Sequence, residues 1–110
     1  MQEYRHIAFA HADLVKAVDY FRRRNRIAEI GARVKHIAHE ICDGDLITRI
    51  EVGDDSGSSV IVEIDHIEMM AALISYCVYT RIPIPQHGRR EIALIDGELT
   101  LVMTGIVQKY

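Results

Sequence analysis

The two halves of this chain resemble each other, and this similarity constrains the fold more than any other feature of the sequence. Residues 11–27 align without a gap with residues 66–82, at an offset of 55 positions in a chain of 110 residues. Four aligned pairs are identical: His11/His66, Ala17/Ala72, Arg26/Arg81 and Ile27/Ile82. The Asp-Gly pair at 43–44 recurs at 96–97 once a two-residue gap is allowed. Such a repeat predicts that one supersecondary unit occurs twice.

Each half has the pattern of a strand followed by a helix and a hairpin. Strands are predicted at 4–10 and at Ser59–Ile64, ahead of the two aligned segments. The helix of the second half has a clear start, because Asp65 suits the N-cap position and Glu68 completes a capping box. Pro83 ends this helix, since the residue before a proline is pushed out of helical geometry.

A hairpin is predicted after each helix. The Asp-Gly pairs at 43–44 and 96–97 suit a type I′ turn, in which both central residues have positive φ. The return strands are predicted at 46–52 and 98–104. Residues 53–58 form a linker-like stretch, and this stretch falls between the two halves.

The segment 27–41 has two interpretations. Its apolar residues follow helical spacing at Ile30, Val34, Ile37, Ala38 and Ile41. The equivalent segment of the second half carries two prolines and then a strand-like run at 91–95. The similarity between the halves therefore favours a strand at about 34–42.

We predict an α+β domain made of two tandem βαββ units, at about 1–53 and 59–110, joined by the loop 53–58. A pseudo-twofold axis would relate the units, and an antiparallel sheet would carry both helices on one side. This arrangement looks like the duplicated strand-helix-strand-strand modules found in some small-molecule-binding regulators. The resemblance implies a ligand cleft between the units, with Tyr20 or Tyr76 beside it.

The two predicted helices share their inward pattern but differ on the outside. The inward positions are Leu14, Val18 and Phe21 in the first helix and Met69, Leu73 and Tyr76 in the second. The outward positions are Lys16, Asp19, Arg22, Arg23 and Arg24 in the first helix and Ala71, Ile74, Cys77, Val78 and Tyr79 in the second. A helix that is apolar on every side is normally buried on every side. We therefore expect a partner to cover the second helix, unless the first helix or a loop covers it within the monomer.

The leading functional hypothesis is a non-enzymatic interaction module. It would form a homodimer, or dock a protein partner, through the outer face of the second helix: Ala71, Ile74, Cys77, Val78 and Tyr79. Binding of a small molecule between the two units is the alternative.

A weaker alternative is phosphate or nucleic-acid binding through an arginine cluster: Arg22, Arg23, Arg24 and Arg26. Cations at the end of a helix also stabilise its dipole without any ligand. Because the net charge is −3, the composition does not favour a nucleic-acid partner.

Motifs for catalysis or metal binding are not found in the sequence. It contains no nucleophile elbow, phosphate loop or dinucleotide fingerprint, so we predict no catalytic residue and no cofactor, and we lean against an enzyme. His36 and His39 are three apart, a spacing that shares a face on a helix but not on a strand. We therefore predict no metal site.

Composition and hydropathy indicate a folded, cytoplasmic protein. The charged start shows no secretion signal, and the longest apolar run, 69–79, is too short to cross a membrane. Cys42 and Cys77 are isolated and are expected to be reduced thiols.

Overall fold

The computed structural model describes residues 2–25, 33–85 and 88–106, which fold into two helices and six strands. In chain order the elements are β1 (Gln2–Phe9), α1 (His11–Arg24), β2 (Arg33–Cys42), β3 (Asp45–Gly53), β4 (Ser59–Ile64), α2 (His66–Tyr79), β5 (Arg89–Ile95) and β6 (Glu98–Ile106). The fold is therefore α+β, as the sequence predicts, and the order strand-helix-strand-strand occurs in each half.

The strands form two three-stranded antiparallel sheets, with the orders β1-β6-β5 and β2-β3-β4. Each sheet combines a hairpin from one half of the chain with the opening strand of the other half, because β1 pairs with β6 and β4 pairs with β3. The prediction of one sheet was wrong. Hairpin partners can be read from local turn residues, whereas the long-range partner of an opening strand leaves no such local signal.

The two helices pack against each other and join the two sheets. α1 contacts β1 and β2, and α2 contacts β3, β5 and β6. The predicted inward pattern is confirmed, because Leu14, Val18, Met69 and Leu73 are buried while Phe21 and Tyr76 pack against the core. The middle strands β3 and β6 supply most of the buried strand residues: Leu46, Thr48, Ile50, Val52, Leu99, Thr100, Leu101 and Met103.

Both predicted hairpin turns are confirmed. Asp43 and Gly44 have φ values of 50° and 84°, and Asp96 and Gly97 have values of 53° and 80°. The strand interpretation of the ambiguous segment is also confirmed, because β2 begins at Arg33; the helical alternative is wrong there, and its part at 27–32 lies outside the described residues.

The segment after α2 crosses the inner face of the β1-β6-β5 sheet. Arg5 and Arg90 are both register partners of Met103, one on each neighbouring strand. The Arg5 guanidinium donates to the carbonyl oxygen of Pro83 at 2.6 Å, and that of Arg90 donates to the carbonyl oxygen of Pro85 at 3.0 Å. α2 itself ends earlier, at Tyr79, where Arg81 has a left-handed φ of 61° and the Ile82 N–H donates to the Cys77 carbonyl at 2.8 Å. Pro83 and Pro85 lie beyond this end and supply the acceptors that fasten the following segment to the sheet.

The start of α2 is fixed by the predicted capping box. The Asp65 carboxylate accepts the Glu68 backbone N–H at 2.8 Å, and the Glu68 carboxylate accepts the Asp65 backbone N–H at 3.3 Å. At the corresponding position of α1 stands Ala10, whose backbone has the same extended conformation but whose side chain makes no cap. Only α2 therefore has its first-turn donors satisfied by a side chain at the N-cap.

Replacing Asp65 by Ala should lower the free energy of unfolding by about 1 kcal/mol, because an N-cap acceptor is lost. Ala10→Ser should instead raise it, since serine would add the missing acceptor to α1. Urea unfolding of both variants beside the parent measures the two changes. Equal stability of Asp65→Ala and the parent would contradict the role of the box.

Candidate functional site: the outer face of α2 and the clefts beside it

A stripe of apolar side chains runs along the outer face of α2. Ile67, Ala71, Ile74 and Val78 follow one another at intervals of four, three and four residues, the spacing of a coiled-coil seam. Ile67 is 72% exposed and Val78 is 64% exposed. Ala71 is exposed and Ile74 is half-buried. These four residues are called the α2 seam.

The α2 seam differs from the interface predicted from sequence at two positions. Three predicted residues belong to it: Ala71, Ile74 and Val78. Cys77 does not, because it follows Leu73 by one helical turn and lies in the core, where burial raises the pKa of its thiol. Its predicted outward position was wrong. Ile67 was missed, although extending the seam spacing four residues towards the N-terminus reaches it.

Tyr79, the remaining predicted interface residue, lies against α1. Its ring stacks on that of Tyr20, with centroids 4.5 Å apart and planes 20° apart. Tyr20 also meets Tyr76 edge-on at 6.3 Å, and Tyr76 lies 6.4 Å from the ring of Phe9. α1 therefore covers one flank of α2 within the monomer, whereas Ile67, Ala71 and Val78 of the α2 seam stay exposed.

A cleft of about 320 Å³ lies between the C-terminal half of α1 and the middle of α2. It is lined by Tyr20, Phe21, Arg24, Asn25, Ala71 and Ser75. Arg24 Nη1 donates to the Tyr20 hydroxyl at 2.8 Å, and Arg24 Cζ lies 5.6 Å from the centre of the Tyr20 ring. This space is called the Arg24 cleft.

A second cleft, of about 270 Å³, lies between β1, α1 and the end of α2. Its lining is mainly apolar, with the Asp13 carboxylate and the Tyr76 and Thr80 hydroxyls at its polar positions. Burial, and then the negative charge of Asp13, raise the pKa of the Tyr76 hydroxyl. Each of the tyrosines singled out from the sequence thus lines one cleft.

The predicted arginine cluster is divided by its contacts. Arg22 is only 3% exposed and forms an ion pair with Asp19 at 2.6 Å, so its predicted outward position was wrong. Arg23 is exposed and pairs with the other oxygen of Asp19 at 3.0 Å. Arg24 donates instead to the Tyr20 hydroxyl. Arg26 lies outside the described residues. The described arginines therefore do not share one exposed, phosphate-binding face.

His36, His39 and His66 lie in different environments. On β2, His36 is exposed, whereas His39 faces the core side and its Nδ1 lies 2.9 Å from the Thr48 hydroxyl oxygen. Burial lowers the pKa of His39. His66 Nδ1 accepts the backbone N–H of Leu46 at 3.0 Å, which ties the first turn of α2 to the start of β3.

Comparison of the chain with protein-family models, with curated proteins and with solved structures finds no match.

Among residues 2–25, 33–85 and 88–106, no three His, Cys, Asp or Glu side chains are grouped so that they could hold a metal ion. Neither helix that the structure describes is long and apolar enough to cross a membrane.

Acidification should destabilise the protein through His39. Because its pKa is lowered on folding, the unfolded chain binds the proton more tightly. The contribution of neutral His39 to the free energy of unfolding is therefore fully present above the ordinary histidine pKa of 6.5. It is lost as the pH falls through the lower pKa that His39 has in the folded protein. His39→Gln should flatten the pH dependence of the free energy of unfolding in this window, measured by urea titrations at several pH values. His36→Gln, at an exposed position on the same strand, should leave it unchanged; an equal effect of both changes would contradict this assignment.

Proposed function

We propose that this protein is a non-enzymatic interaction module that forms a homodimer through the α2 seam. The observation that carries the proposal is the apolar row of Ile67, Ala71, Ile74 and Val78, which is exposed except at the half-buried Ile74 and contains no charged side chain. Exposed apolar surface of this kind is typical of association sites. Each exposed isoleucine or valine side chain that becomes fully buried at an interface contributes about 1.5–3 kcal/mol to the free energy of association.

The occupant that fits the α2 seam best is a second copy of it. If two α2 helices pair antiparallel about a twofold axis between Ala71 and Ile74, Ile67 lies opposite Val78 of the partner subunit. Ala71 then lies opposite the partner's Ile74, so that a small side chain faces a large one at each central contact. A twofold interface requires such self-complementarity, because both partners present the same surface.

The outer face of the β2-β3-β4 sheet is a poorer candidate interface. Arg49 lies there between Glu40, with which it forms an ion pair, and Glu63, whose carboxylate is 3.5 Å away. This pairing lowers the pKa of the Glu40 carboxyl. Charged residues are depleted from the centres of interfaces, so the comparison favours α2.

The proposal includes a single domain of two tandem βαββ units that exchange their opening strands. Supporting this, α1 and α2 both have 14 residues and begin 55 positions apart. The opening strand of each half also pairs in the same way, because β1 is antiparallel to β6 and β4 is antiparallel to β3. A cytoplasmic location is also proposed, because Cys42 and Cys77 are both free thiols.

Val78→Lys should convert the dimer of about 25 kDa into the 12.5 kDa monomer, because a charge would be buried in the seam. Lysine suits the last turn of a helix, and α2 has no basic residue there, so the monomer itself should keep its stability. Sedimentation equilibrium over a range of concentrations measures the mass, and thermal unfolding measures the stability.

Ile61→Lys is the matched control, because Ile61 is also 64% exposed but lies on β4. This variant should remain dimeric. If it dissociates while Val78→Lys does not, the interface lies at the sheet edge; if the parent is monomeric at every concentration, the seam serves a different protein partner or none.

Binding of a small molecule is a second candidate function, and two clefts favour it. They lie beside the contacting rings of Tyr20, Tyr76 and Tyr79, here called the tyrosine row. Each is lined by residues from both halves of the chain. The volume of the Arg24 cleft, about 320 Å³, lies at the lower end of the range for ligand pockets. The space therefore suits a compact ligand.

A thermal-shift screen tests this second function. A ligand that binds only the folded state should raise the unfolding temperature, by an amount that grows with the logarithm of its concentration relative to its Kd. Ser75→Phe should abolish the shift for any ligand of the Arg24 cleft, because the added ring would occupy the space. A diverse screen without any stabilising compound would argue against a sensor function.

A further inference from the structure

We propose that the Arg24 cleft recognises small organic anions, specifically compounds with a planar apolar body and one carboxylate. The inference rests on the second candidate function and names the ligand chemistry of its site. The cleft shares Ala71 with the α2 seam, but it does not depend on dimerisation, so failure of the dimer would leave this inference standing.

The charge of Arg24 is not neutralised by the described residues. Of the three arginines that end α1, Arg22 and Arg23 share the Asp19 carboxylate. Within the part of the chain that the structure describes, Arg24 has the Tyr20 hydroxyl as its polar partner and no carboxylate. A guanidinium carries five N–H donors, so several are left for a ligand.

Arg24 is held in position before any ligand arrives. Its Nη1 bonds to the Tyr20 hydroxyl, and its guanidinium carbon lies 5.6 Å from the Tyr20 ring centre. Tyr20 is itself held by stacking on Tyr79 and by the edge contact with Tyr76. A preorganised guanidinium loses less side-chain freedom on binding, and its planar fork matches a carboxylate.

The remaining lining fits the rest of such a ligand. Phe21 and Ala71 provide apolar surface, and Ser75 adds a hydroxyl. The Asn25 amide nitrogen donates to the Phe21 carbonyl at 2.8 Å, which leaves the amide oxygen as an acceptor. The volume of about 320 Å³ suits a single ring with a short substituent better than a nucleotide.

One feature opposes an anion here. The cleft lies at the C-terminal end of α1, where unpaired carbonyls give the helix a partial negative charge. Direct, charge-assisted bonds to a guanidinium are stronger than this dipole effect. The anion must therefore be held by Arg24 itself, so Arg24 should be indispensable.

The test uses three compounds of nearly the same shape, namely benzoate, benzamide and benzamidine, which carry negative, zero and positive charge. Each is titrated into the full-length protein at neutral pH, and binding is followed by calorimetry. We expect benzoate to bind, benzamide to bind about tenfold or more weakly, and benzamidine to show the weakest binding.

Two variants distinguish a specific contact of Arg24 with the ligand from a general effect of positive charge. Arg24→Gln and Arg23→Gln each remove one charge from neighbouring positions of the same helix end, but Arg23 pairs with Asp19 on the exposed surface. Arg24→Gln should weaken benzoate binding by about ten- to a hundredfold, and Arg23→Gln should leave it near the parent value. Tyr20→Phe should give a smaller loss, since it removes the hydroxyl that positions the guanidinium.

Several results would overturn the inference. They are no benzoate binding, equal binding of benzoate and benzamidine, or equal losses in the two arginine variants. If benzoate fails while another compound raises the unfolding temperature and loses its effect in Ser75→Phe, small-molecule binding stands and only the anion preference is wrong. If no compound of any charge binds, both fail together.

Discussion

The exchange of opening strands between the two halves is the constraint on which the rest of this structure depends. β1 completes the sheet of the second hairpin, and β4 completes the sheet of the first. Each three-stranded sheet of the structure therefore takes one strand from the other half, and a two-stranded hairpin by itself is marginally stable in water. The exchange brings α1 and α2 side by side, and this placement creates the tyrosine row, both clefts and the exposed flank of α2.

Local signals in the sequence predicted much of the fold. The capping box at Asp65 and the Asp-Gly turns act within a few residues, so their outcome could be read directly. The number of sheets could not, because strand exchange depends on pairing between distant segments. The strand at Arg33–Cys42 was reached only by comparing the two halves, since its apolar spacing alone also fits a helix.

The candidate site was predicted in part for a similar reason. Helical spacing separates the inward face of a helix from its outward face, but it does not decide the burial of residues between the two faces. Both residues that were wrongly predicted to face outward lie in this intermediate zone. Cys77 and Arg22 occupy aligned positions on the two helices, and both are buried. Each position lies at the edge of the packed face, where the neighbouring helix and sheets decide burial. The cleft beside Arg24 needed two helices from different halves and had no signature in either one.

The pairing of β1 with β6 also has a consequence for how the chain is made. β1 is synthesised before every other described element, and its hydrogen-bonding partner β6 is the last strand described. During synthesis β1 must therefore wait with both edges unpaired until β6 leaves the ribosome. Contacts of such long sequence separation slow folding, and unpaired strand edges attract other chains. The charged and polar residues that precede Ile7 on this strand, including Arg5 and His6, would help keep it soluble during that interval.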